Sequence, residues 1–365
     1  MANGSNGSNG TKWTLYASNE DAWSAMLSDC AKAERSIVLE QFIFYADDFG
    51  RRLMNVCAER AKAGVEVRFL WDAVGSWSLW GSNIAEELRL KGIKLVFWKT
   101  LVPDYTKVPE WRHWFLRNHR RNLVIDRKIG YTGSICVSGK HKDWRDTNVR
   151  LEGTVARQME NSFDRMWDRA VHSRPLPKRL KYKDSDFRYE TNYPAPGRRR
   201  VYAAFAKAVR EAEEKVWVTA PYFVPTHRMI RLLKSAAERG VDVRILLPER
   251  SNYFVVDLGA RTYFDTLLES GVKIFLYTAN FIHSKTMVVD DSWASVGSMN
   301  WDRLSLLYNF EANVISVDPR FNAALAGHFR TDMAASREVT LSAWRRRSLL
   351  ERWKELPAYF MRKLL

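Results

Sequence analysis

Two segments of the sequence carry the same arrangement of ionisable side chains. In each segment a basic residue lies two positions after a histidine, and an aspartate lies seven positions after the same histidine. The two triplets are His119, Arg121 and Asp126, and His283, Lys285 and Asp290. The chain has seven histidines, and no other histidine has both companions. A glycine–serine pair also comes 14 and 15 positions after each of the two, so chance does not explain the likeness.

The run after each histidine, "NLVI" or "TMVV", predicts a buried strand that continues through a tight turn into a second strand. Residues two apart on a strand share a face, so each imidazole is expected beside a cation. Asp126 and Asp290 have an odd offset from their histidines. They should therefore lie off that face, near the turn, where a carboxylate supports the site more plausibly than it reacts.

Two imidazole–cation pairs suit phosphoryl transfer. One imidazole can attack phosphorus and carry a covalent intermediate. The other can protonate the departing alkoxide and then take a proton from the incoming nucleophile. The cations stabilise the charge that builds on the non-bridging oxygens. Further His, Cys or carboxylate ligands at short spacing are absent from these motifs, so we expect no metal site.

An internal repeat indicates how the fold positions the two motifs. Three segments that precede the His119 motif match three that precede the His283 motif: 33–45 with 212–224, 61–72 with 236–249, and 90–99 with 268–278. Each motif with its two strands forms a predicted hairpin. Strands alternate with helices in both copies, which predicts an α/β fold of two similar halves, each a mixed β-sheet flanked by helices. Packing about a pseudo-two-fold axis would bring the hairpins together.

We expect four regions along the chain, because proline and charge replace hydrophobic periodicity within 174–200. A flexible tail or artificial extension is predicted for 1–11, an N-terminal half for 12–185, a C-terminal half for 186–335, and a basic amphipathic tail for 336–365. The aromatic and basic stretch 104–118 (with Trp111, Trp114 and Phe115) and the C-terminal tail could both touch a membrane. The alternative is that both segments pack on the protein.

The net charge and the cysteine content limit the kinds of binding partner and the cellular compartment that the protein fits. A net charge of +16 and a pI of about 9.8 attract polyanions, either nucleic acid or an anionic lipid surface. Three cysteines, Cys30, Cys57 and Cys136, form no disulfide framework and fit a reducing compartment. The sequence shows neither a signal peptide nor an unbroken apolar run of about 18 residues, so we expect no bilayer-spanning helix.

The segments "HRRNLVID" and "HSKTMVVD", each followed by Gly-Ser, resemble the duplicated HxKxxxxD motif of the phospholipase D superfamily. The segments "WRDTNVRLEG", "TAPYFVPTHRMIRLL" and "GSMNWDRLSLLYNFEANV" look like the bacterial cardiolipin synthases of that superfamily, in a form without N-terminal transmembrane helices. The resemblance implies a phosphatidyltransferase that makes cardiolipin from phosphatidylglycerol through a phosphohistidine, without an organic cofactor. It also implies a peripheral location on the cytoplasmic face of the bacterial inner membrane.

The resemblance further assigns residues. A carboxylate downstream of each motif orients the histidine of the opposite half in the superfamily, which makes Asp146 and Glu311 candidates beside the two motif triplets. The nucleophile is more often the N-terminal histidine, here His119, leaving His283 as acid and base. The residues expected to bind substrate are Ser134, Ser298, Asn300 and Asn309.

Two residues depart from the superfamily pattern, both in the first half-site. Arg121 stands where lysine is usual, and Cys136 stands where an asparagine matching Asn300 is usual. Two other functions therefore stay open: a phospholipase D-type hydrolase or nuclease, and a lipid- or nucleic-acid-binding protein with a degenerate first half-site. With an anionic phospholipid as the expected substrate, a nucleic-acid partner is not favoured. The sequence leaves the donor lipid and the oligomeric state open.

Overall fold

The computed structural model describes residues 2–4, 10–99, 116–172, 186–348 and 353. Within these residues, two eight-stranded mixed sheets are flanked by helices. Most of the aromatic stretch 104–118, with Trp111, Trp114 and Phe115, lies outside the described residues. So does the C-terminal tail after 348, apart from Trp353.

The N-terminal half contains eight strands and four helices among the described residues. Its sheet has the order β1-β2-β8-β7-β6-β3-β4-β5. The elements are β1 (Ala2–Gly4), β2 (Lys12–Ser18), α1 (Asn19–Ala31), β3 (Ser36–Gln41), α2 (Asp48–Lys62), β4 (Glu66–Asp72), α3 (Asn83–Leu90), β5 (Lys94–Trp98), β6 (Asn122–Ile125), β7 (Ile129–Gly133), β8 (Arg145–Glu152) and α4 (Thr154–His172).

The C-terminal half is built from β9 (Phe187–Asn192), α5 (Arg200–Glu211), β10 (Lys215–Thr219), β11 (Phe223–Val224), α6 (His227–Glu238), β12 (Asp242–Pro248), α7 (Phe254–Arg261), α8 (Phe264–Glu269), β13 (Lys273–Tyr277), β14 (Thr286–Val289), β15 (Trp293–Gly297), β16 (Trp301–Asp302), β17 (Glu311–Ser316), α9 (Pro319–Ala334), β18 (Ser336–Val339) and α10 (Leu341–Arg345). Its large sheet has the order β18-β13-β12-β10-β14-β15-β17-β9, and β11 pairs with β16.

The two sheets repeat one topology. The order β2-β8-β7-β6-β3-β4-β5 in the first sheet corresponds, strand for strand, to β9-β17-β15-β14-β10-β12-β13 in the second. In both, three parallel strands are followed by an antiparallel hairpin, β6–β7 or β14–β15. The predicted fold of two similar mixed α/β halves is confirmed.

Three hydrophobic clusters hold these layers together. One lies within each half, and the third joins side chains of both halves. In the shared cluster the ring of Trp13 meets the ring of Phe321 at 5.2 Å, and Trp98 meets Phe310 at 5.0 Å. Burial of large aromatic side chains across this boundary stabilises the association of the halves.

Local sequence accounts for the element boundaries that matter here. Strand β3 is buried along its whole length, as its apolar run predicts. Helices α2 and α6 begin where the side chains of Asp47 and Thr226 accept hydrogen bonds from the backbone N–H groups of Gly50 and Met229. Each helix follows a core strand, so these caps fix the chain close to the sheet edge.

The structure differs from the sequence prediction in three places. Ala2–Gly4 pairs with β2, within the segment predicted to be a flexible tail. Ser336–Val339 pairs with β13, and α10 packs against α8, so the C-terminal half continues past residue 335. Strands β6 and β14 begin at Asn122 and Thr286, so the motif histidines precede the strands instead of lying on them. Periodicity does not locate such ends, because pairing across the sheet decides them.

Candidate active site

Both motif histidines face one cavity of about 530 Å³ between the two halves. Arg121 and Cys136 line it from the N-terminal half, and Asn300 lines it from the C-terminal half. Its wall combines polar and ionisable groups with several aromatic rings. The other lining residues used below are Phe42, Lys140, His141, Trp144, Tyr222, Asn252, Tyr253, Asp302, Ser305 and Asn309.

In the first half-site, His119 lies between a carboxylate and a guanidinium. Its Nδ1 is 2.8 Å from Oε1 of Glu311, and its Nε2 is 3.0 Å from Nη2 of Arg121. A guanidinium only donates hydrogen bonds, so Nε2 must be the acceptor. The proton of the neutral ring is then on Nδ1 and is donated to Glu311, and Nε2 is unprotonated, with its lone pair accepting the hydrogen bond of Arg121.

The second half-site repeats this geometry with different groups. Nδ1 of His283 is 3.1 Å from Oδ2 of Asp146, and Nε2 is 2.9 Å from Nζ of Lys285. The Lys285 ammonium also donates to the carbonyl oxygen of His283 at 3.0 Å. The same argument puts the ring proton on Nδ1, so His283 too presents an unprotonated Nε2.

Main-chain pairing between the halves brings each carboxylate under the opposite histidine. The N–H of His119 donates to the carbonyl of Phe310 at 3.0 Å, directly before Glu311. The N–H of His283 donates to the carbonyl of Arg145 at 2.8 Å, directly before Asp146. Each histidine is therefore oriented by a residue of the other half, and neither half-site is complete without its twin.

Burial sets the charge of the two imidazoles. It lowers the pKa of His119 well below its ordinary value, and the positive charges of Arg121 and Lys285 lower it further. Burial also lowers the pKa of His283 to about 3, with Lys285 acting in the same direction and Asp146 opposing it. Both rings are thus neutral near pH 7 before an anionic group enters the cavity.

The two carboxylates differ in charge. Burial raises the pKa of Glu311 to about 8, although Ser298 and Ser305 donate hydrogen bonds to it. Burial would also raise the pKa of Asp146, but the charge and hydrogen bond of His283 outweigh it and lower the pKa to about 2. A full negative charge therefore lies beneath His283, and a smaller one beneath His119.

The two cations also differ. Lys285 is buried, and its burial together with the positive charge of Arg121 lowers its pKa to about 7. Arg121 is equally buried, but a guanidinium stays protonated in proteins. The first half-site thus keeps its positive charge at any physiological pH, whereas the second can lose it.

Asp126 and Asp290, the last residues of the motifs, do not line the cavity. The carboxylate of Asp126 accepts hydrogen bonds from the backbone N–H groups of Glu34, Arg35 and Ser36, at 2.7–2.9 Å. Asp290 does the same for residues 213–215 at 2.9–3.3 Å. Both aspartates have left-handed backbones, with φ of 53° and 49°. Their role in the fold is to fasten the hairpin turn to the chain that enters β3 or β10.

Two of the residues predicted to bind substrate are placed elsewhere. The hydroxyl of Ser134 donates to Asp146, and that of Ser298 donates to Oε2 of Glu311 at 2.5 Å. Both serines are fully buried behind the carboxylates. Neither serine is among the residues that line the cavity, and substrate contact through their hydroxyl groups stays a prediction. Asn300 and Asn309 do line it.

The motifs did not reveal several lining residues. Asp302 is buried, which raises its pKa to about 7, and its carboxylate accepts hydrogen bonds from the backbone of Ser305 and the side chain of Asn300. Trp144 lies 5.0 Å from the ring of His283 and Tyr222 lies 6.3 Å from it. Asp302, Trp144 and Tyr222 all lie in the segments that resemble the cardiolipin synthases, which is the signal that the sequence offers for them.

In the described parts of the chain, no cluster of three or more His, Cys, Asp or Glu side chains has the arrangement of a metal site. None of the helices in the described ranges has the length and apolar character needed to cross a membrane.

Comparison with solved structures shows the fold. The chain is similar to the phosphatidylserine synthase of Haemophilus influenzae Rd KW20, with a TM-score of 0.75, 13% identity, and coverage of 96% of this chain and 92% of that one. It is also similar to the polyphosphate kinase of Porphyromonas gingivalis, with a TM-score of 0.63, 12% identity, and coverage of 92% and 49%. These likenesses show the fold on which the paired half-sites are built. The class, an enzyme of the phospholipase D superfamily, is shown by the family model and the sequence relatives that match the chain.

Sequence comparison narrows the class. A family model described as "Cardiolipin synthase, PLD-like domain" matches residues 205–333. The probable cardiolipin synthase YwiE of Bacillus subtilis (strain 168) is 30% identical over 93% of this chain and 70% of its own length. The cardiolipin synthase of Geobacillus sp. (strain WCH70) is 31% identical, over 97% and 72%. The chain therefore belongs to the cardiolipin synthase family, and it is a phosphatidyltransferase.

Proposed function

We propose that the protein makes cardiolipin by transferring a phosphatidyl group to phosphatidylglycerol, with His119 carrying the group as a phosphohistidine. One observation carries the proposal. Two histidines present unprotonated Nε2 atoms to a single cavity, each with a cation within 3.0 Å. A phosphodiester between them would have a nucleophile and a proton carrier on opposite sides of phosphorus, with the cations at its non-bridging oxygens.

In the first step, Nε2 of His119 attacks the phosphorus of a phosphatidylglycerol molecule. The N–P bond forms while the bond from phosphorus to the glycerol oxygen breaks. The departing alkoxide takes the proton from Nε2 of protonated His283 and leaves as glycerol. The bound phosphodiester supplies the negative charge that offsets Lys285 and Arg121, so it favours the protonated form of His283 in the complex.

In the second step, a hydroxyl group of another phosphatidylglycerol attacks the phosphohistidine. Neutral His283 takes the hydroxyl proton, a new P–O bond forms, and the N–P bond to His119 breaks. Cardiolipin leaves, and both histidines return to their starting charge. Two molecules of phosphatidylglycerol thus become one of cardiolipin and one of glycerol.

The unequal carboxylates support this division of roles. Ionised Asp146 stabilises an imidazolium at His283, as an acid–base residue requires. Glu311, with its raised pKa, favours protonation of His119 less, so the Nε2 of that ring remains a nucleophile. Arg121 and Asn300 would hold the phosphate, and Asn309 would contact the headgroup.

We further propose that the protein acts as a peripheral enzyme at the cytoplasmic face of the bacterial inner membrane. Its net charge of +16 supports attraction to anionic lipid. We propose that 12–185 and 186–335 form the two functional halves. Strand β18 and helix α10 then extend the C-terminal half to Arg345.

Product analysis tests the proposal. Purified protein is incubated with vesicles that contain phosphatidylglycerol labelled in the headgroup, and equal amounts of cardiolipin and glycerol are expected. Phosphatidic acid as the sole lipid product would identify a hydrolase instead, and cleavage of nucleic acid would identify a nuclease. Lipid binding without turnover by the folded protein would support the degenerate-site alternative.

Trapping of the intermediate tests the roles of the histidines. Here the phosphatidylglycerol is labelled at phosphorus, because the headgroup leaves in the first step, and the reaction is quenched with neutral detergent, because the N–P bond of phosphohistidine is acid-labile. His283→Ala should form the labelled adduct slowly, since the first step lacks its proton donor, and should retain it, since the second step lacks its base. His119→Ala should carry no label. His227→Ala, an exposed histidine at the start of α6, is the matched control and should behave as the parent. Label on the His119→Ala variant would reverse the assignment.

A further inference from the structure

Large apolar side chains are exposed at equivalent places in the two halves. In the N-terminal half, the side chain of Trp77 is 61% exposed. In the C-terminal half, Tyr253, Phe254 and Val255 are exposed by 57%, 67% and 40%. Trp77 lies five residues after the last residue of β4, and Tyr253 lies five residues after the last residue of β12. The internal repeat therefore produces an exposed aromatic residue twice, at the same step of the topology.

Both loops lie beside the catalytic cavity. The hydroxyl of Ser76 donates to the carbonyl of Phe42 at 3.0 Å, and Phe42 lines the cavity. In the other half, Asn252 accepts a hydrogen bond of 2.6 Å from Tyr222, and both residues line the cavity with Tyr253. The loops follow the carboxyl ends of β4 and β12, where the parallel strands of each sheet open towards the histidines. The loop that carries Trp77 thus contacts a cavity-lining residue of the N-terminal half, and the segment that begins at Tyr253 contributes a lining residue of the C-terminal half.

The exposed rings do not belong to any core cluster of the described residues. The other large apolar side chains found exposed there, such as Leu90 and Val317, stand singly along the chain, which is ordinary for a soluble surface. A run of three beside a cavity mouth is not ordinary and marks an interaction surface. Tryptophan and tyrosine are the side chains preferred at the boundary between lipid and water.

The charge near these loops identifies the kind of surface they fit. Arg250 and Lys140 are exposed, and Lys140 lines the cavity. Cations beside exposed aromatic rings match an anionic phospholipid surface, where the charge steers the protein and the rings enter the interface. A purely apolar protein partner would not require this charge.

We propose that the Trp77 loop (residues 73–81) and the Tyr253–Val255 segment dock together into an anionic phospholipid bilayer and place the cavity mouth at its surface. This docking proposal rests on the proposed function in one respect, which is that the cavity binds a lipid. Docking through one segment of each half lets a headgroup enter the cavity while its acyl chains stay in the bilayer. Duplication of the fold thus supplies two attachment points as well as two half-sites.

Vesicle sedimentation tests the docking. The parent, Trp77→Ser with Phe254→Ser, and Leu90→Ser are compared on vesicles of equal parts phosphatidylglycerol and phosphatidylcholine. Leu90 is 82% exposed at the end of α3. The chain then enters β5 at the amino end of the parallel strands, which is opposite to the end that carries the Trp77 loop, so Leu90 is the matched control. The double variant should bind about 10- to 100-fold more weakly, from the transfer of two large apolar side chains. Leu90→Ser should bind as the parent.

Turnover on dispersed short-chain phosphatidylglycerol separates docking from catalysis. The double variant should stay within about twofold of the parent on this monomeric substrate and lose activity on vesicles in proportion to its binding. Parent-like vesicle binding by the double variant would overturn the proposal, and so would an equal loss on both substrates. If the parent binds vesicles but transfers nothing, the proposed function fails, while sedimentation of the variants still decides the docking.

Discussion

Replacement of Lys285 by arginine should change the pH dependence of the enzyme in a defined way. Burial and the nearby charge of Arg121 lower the pKa of Lys285 to about 7. The ammonium is needed in its charged form to hold the phosphate. At pH 8 only about a tenth of the free enzyme would have that charge, so the decline of kcat/KM with pH should become about tenfold steeper per pH unit above 7. Arginine in the same place stays charged, so this break near pH 7 should disappear. The dependence on protonation of His283, whose pKa in the free enzyme is about 3, remains.

The assay is kcat/KM for dispersed short-chain phosphatidylglycerol between pH 5.5 and 9, because this ratio reports the free enzyme. The substrate phosphodiester does not titrate in this range. The readout is the shape of the profile, so a lower absolute rate for Lys285→Arg, caused by the longer side chain, does not affect it. The chain already uses arginine at the equivalent position, Arg121, which indicates that the site accepts a guanidinium.

Two further variants separate the contribution of Lys285 from that of its neighbours. Glu311 has a pKa of about 8 and also titrates in this range. Glu311→Gln should therefore keep the break near pH 7. Arg121→Lys introduces a second buried ammonium and should steepen the fall. A parent profile without this break up to pH 9, or an unchanged break in Lys285→Arg, would refute the reasoning.

Three other substitutions have effects that the geometry determines. Asp146→Asn removes the charge beneath His283, so kcat should fall by about 10²–10⁴-fold with a small change in KM; activity within threefold of the parent would contradict its orienting role. Lys285→Met removes a buried charge and should abolish turnover while raising the free energy of unfolding by about 1–4 kcal/mol at pH 6, measured by denaturant titration. Between pH 7 and the ordinary lysine pKa of 10.5, Lys285 of the parent is protonated in the unfolded state but largely neutral in the folded state. The free energy of unfolding of the parent should therefore rise with pH across that window, and the stability gained from methionine should shrink. Asp126→Asn keeps one acceptor oxygen for three backbone donors and should cost about 1–3 kcal/mol of unfolding free energy, with kcat at 25 °C retained; a large loss of kcat with unchanged stability would show that this carboxylate acts in the reaction.

Features that depend on neighbours along the chain could be predicted from the sequence. The contact of each histidine with its cation was predicted from a spacing of two residues, and the two side chains do meet although the histidines precede the strands. The repeat of segments predicted two matching α/β halves, because alternation between helical and strand periodicity is a local property. The tight turn at Asp126 was also visible, since aspartate tolerates a left-handed backbone.

Features that depend on the contact between the halves required the tertiary structure. His119 and Glu311 are 192 positions apart, and His283 and Asp146 are 137 apart. Spacing along the chain cannot set such a distance, and resemblance to a family supplied the two acids as candidates only. Main-chain pairing across the interface is what brings each acid under the opposite ring.

The orientation of side chains was likewise decided in three dimensions. Ser134 and Ser298 follow the motifs at a constant offset, and only the fold shows that both hydroxyl groups donate hydrogen bonds to the carboxylates that contact the histidines. The pKa of Lys285 depends on the burial of its ammonium, which no motif encodes. The sequence by itself determined which chemical groups this protein repeats. The packing of its halves decided which of them share a cavity and which carry charge there, because burial and distance between remote segments exist only in the folded chain.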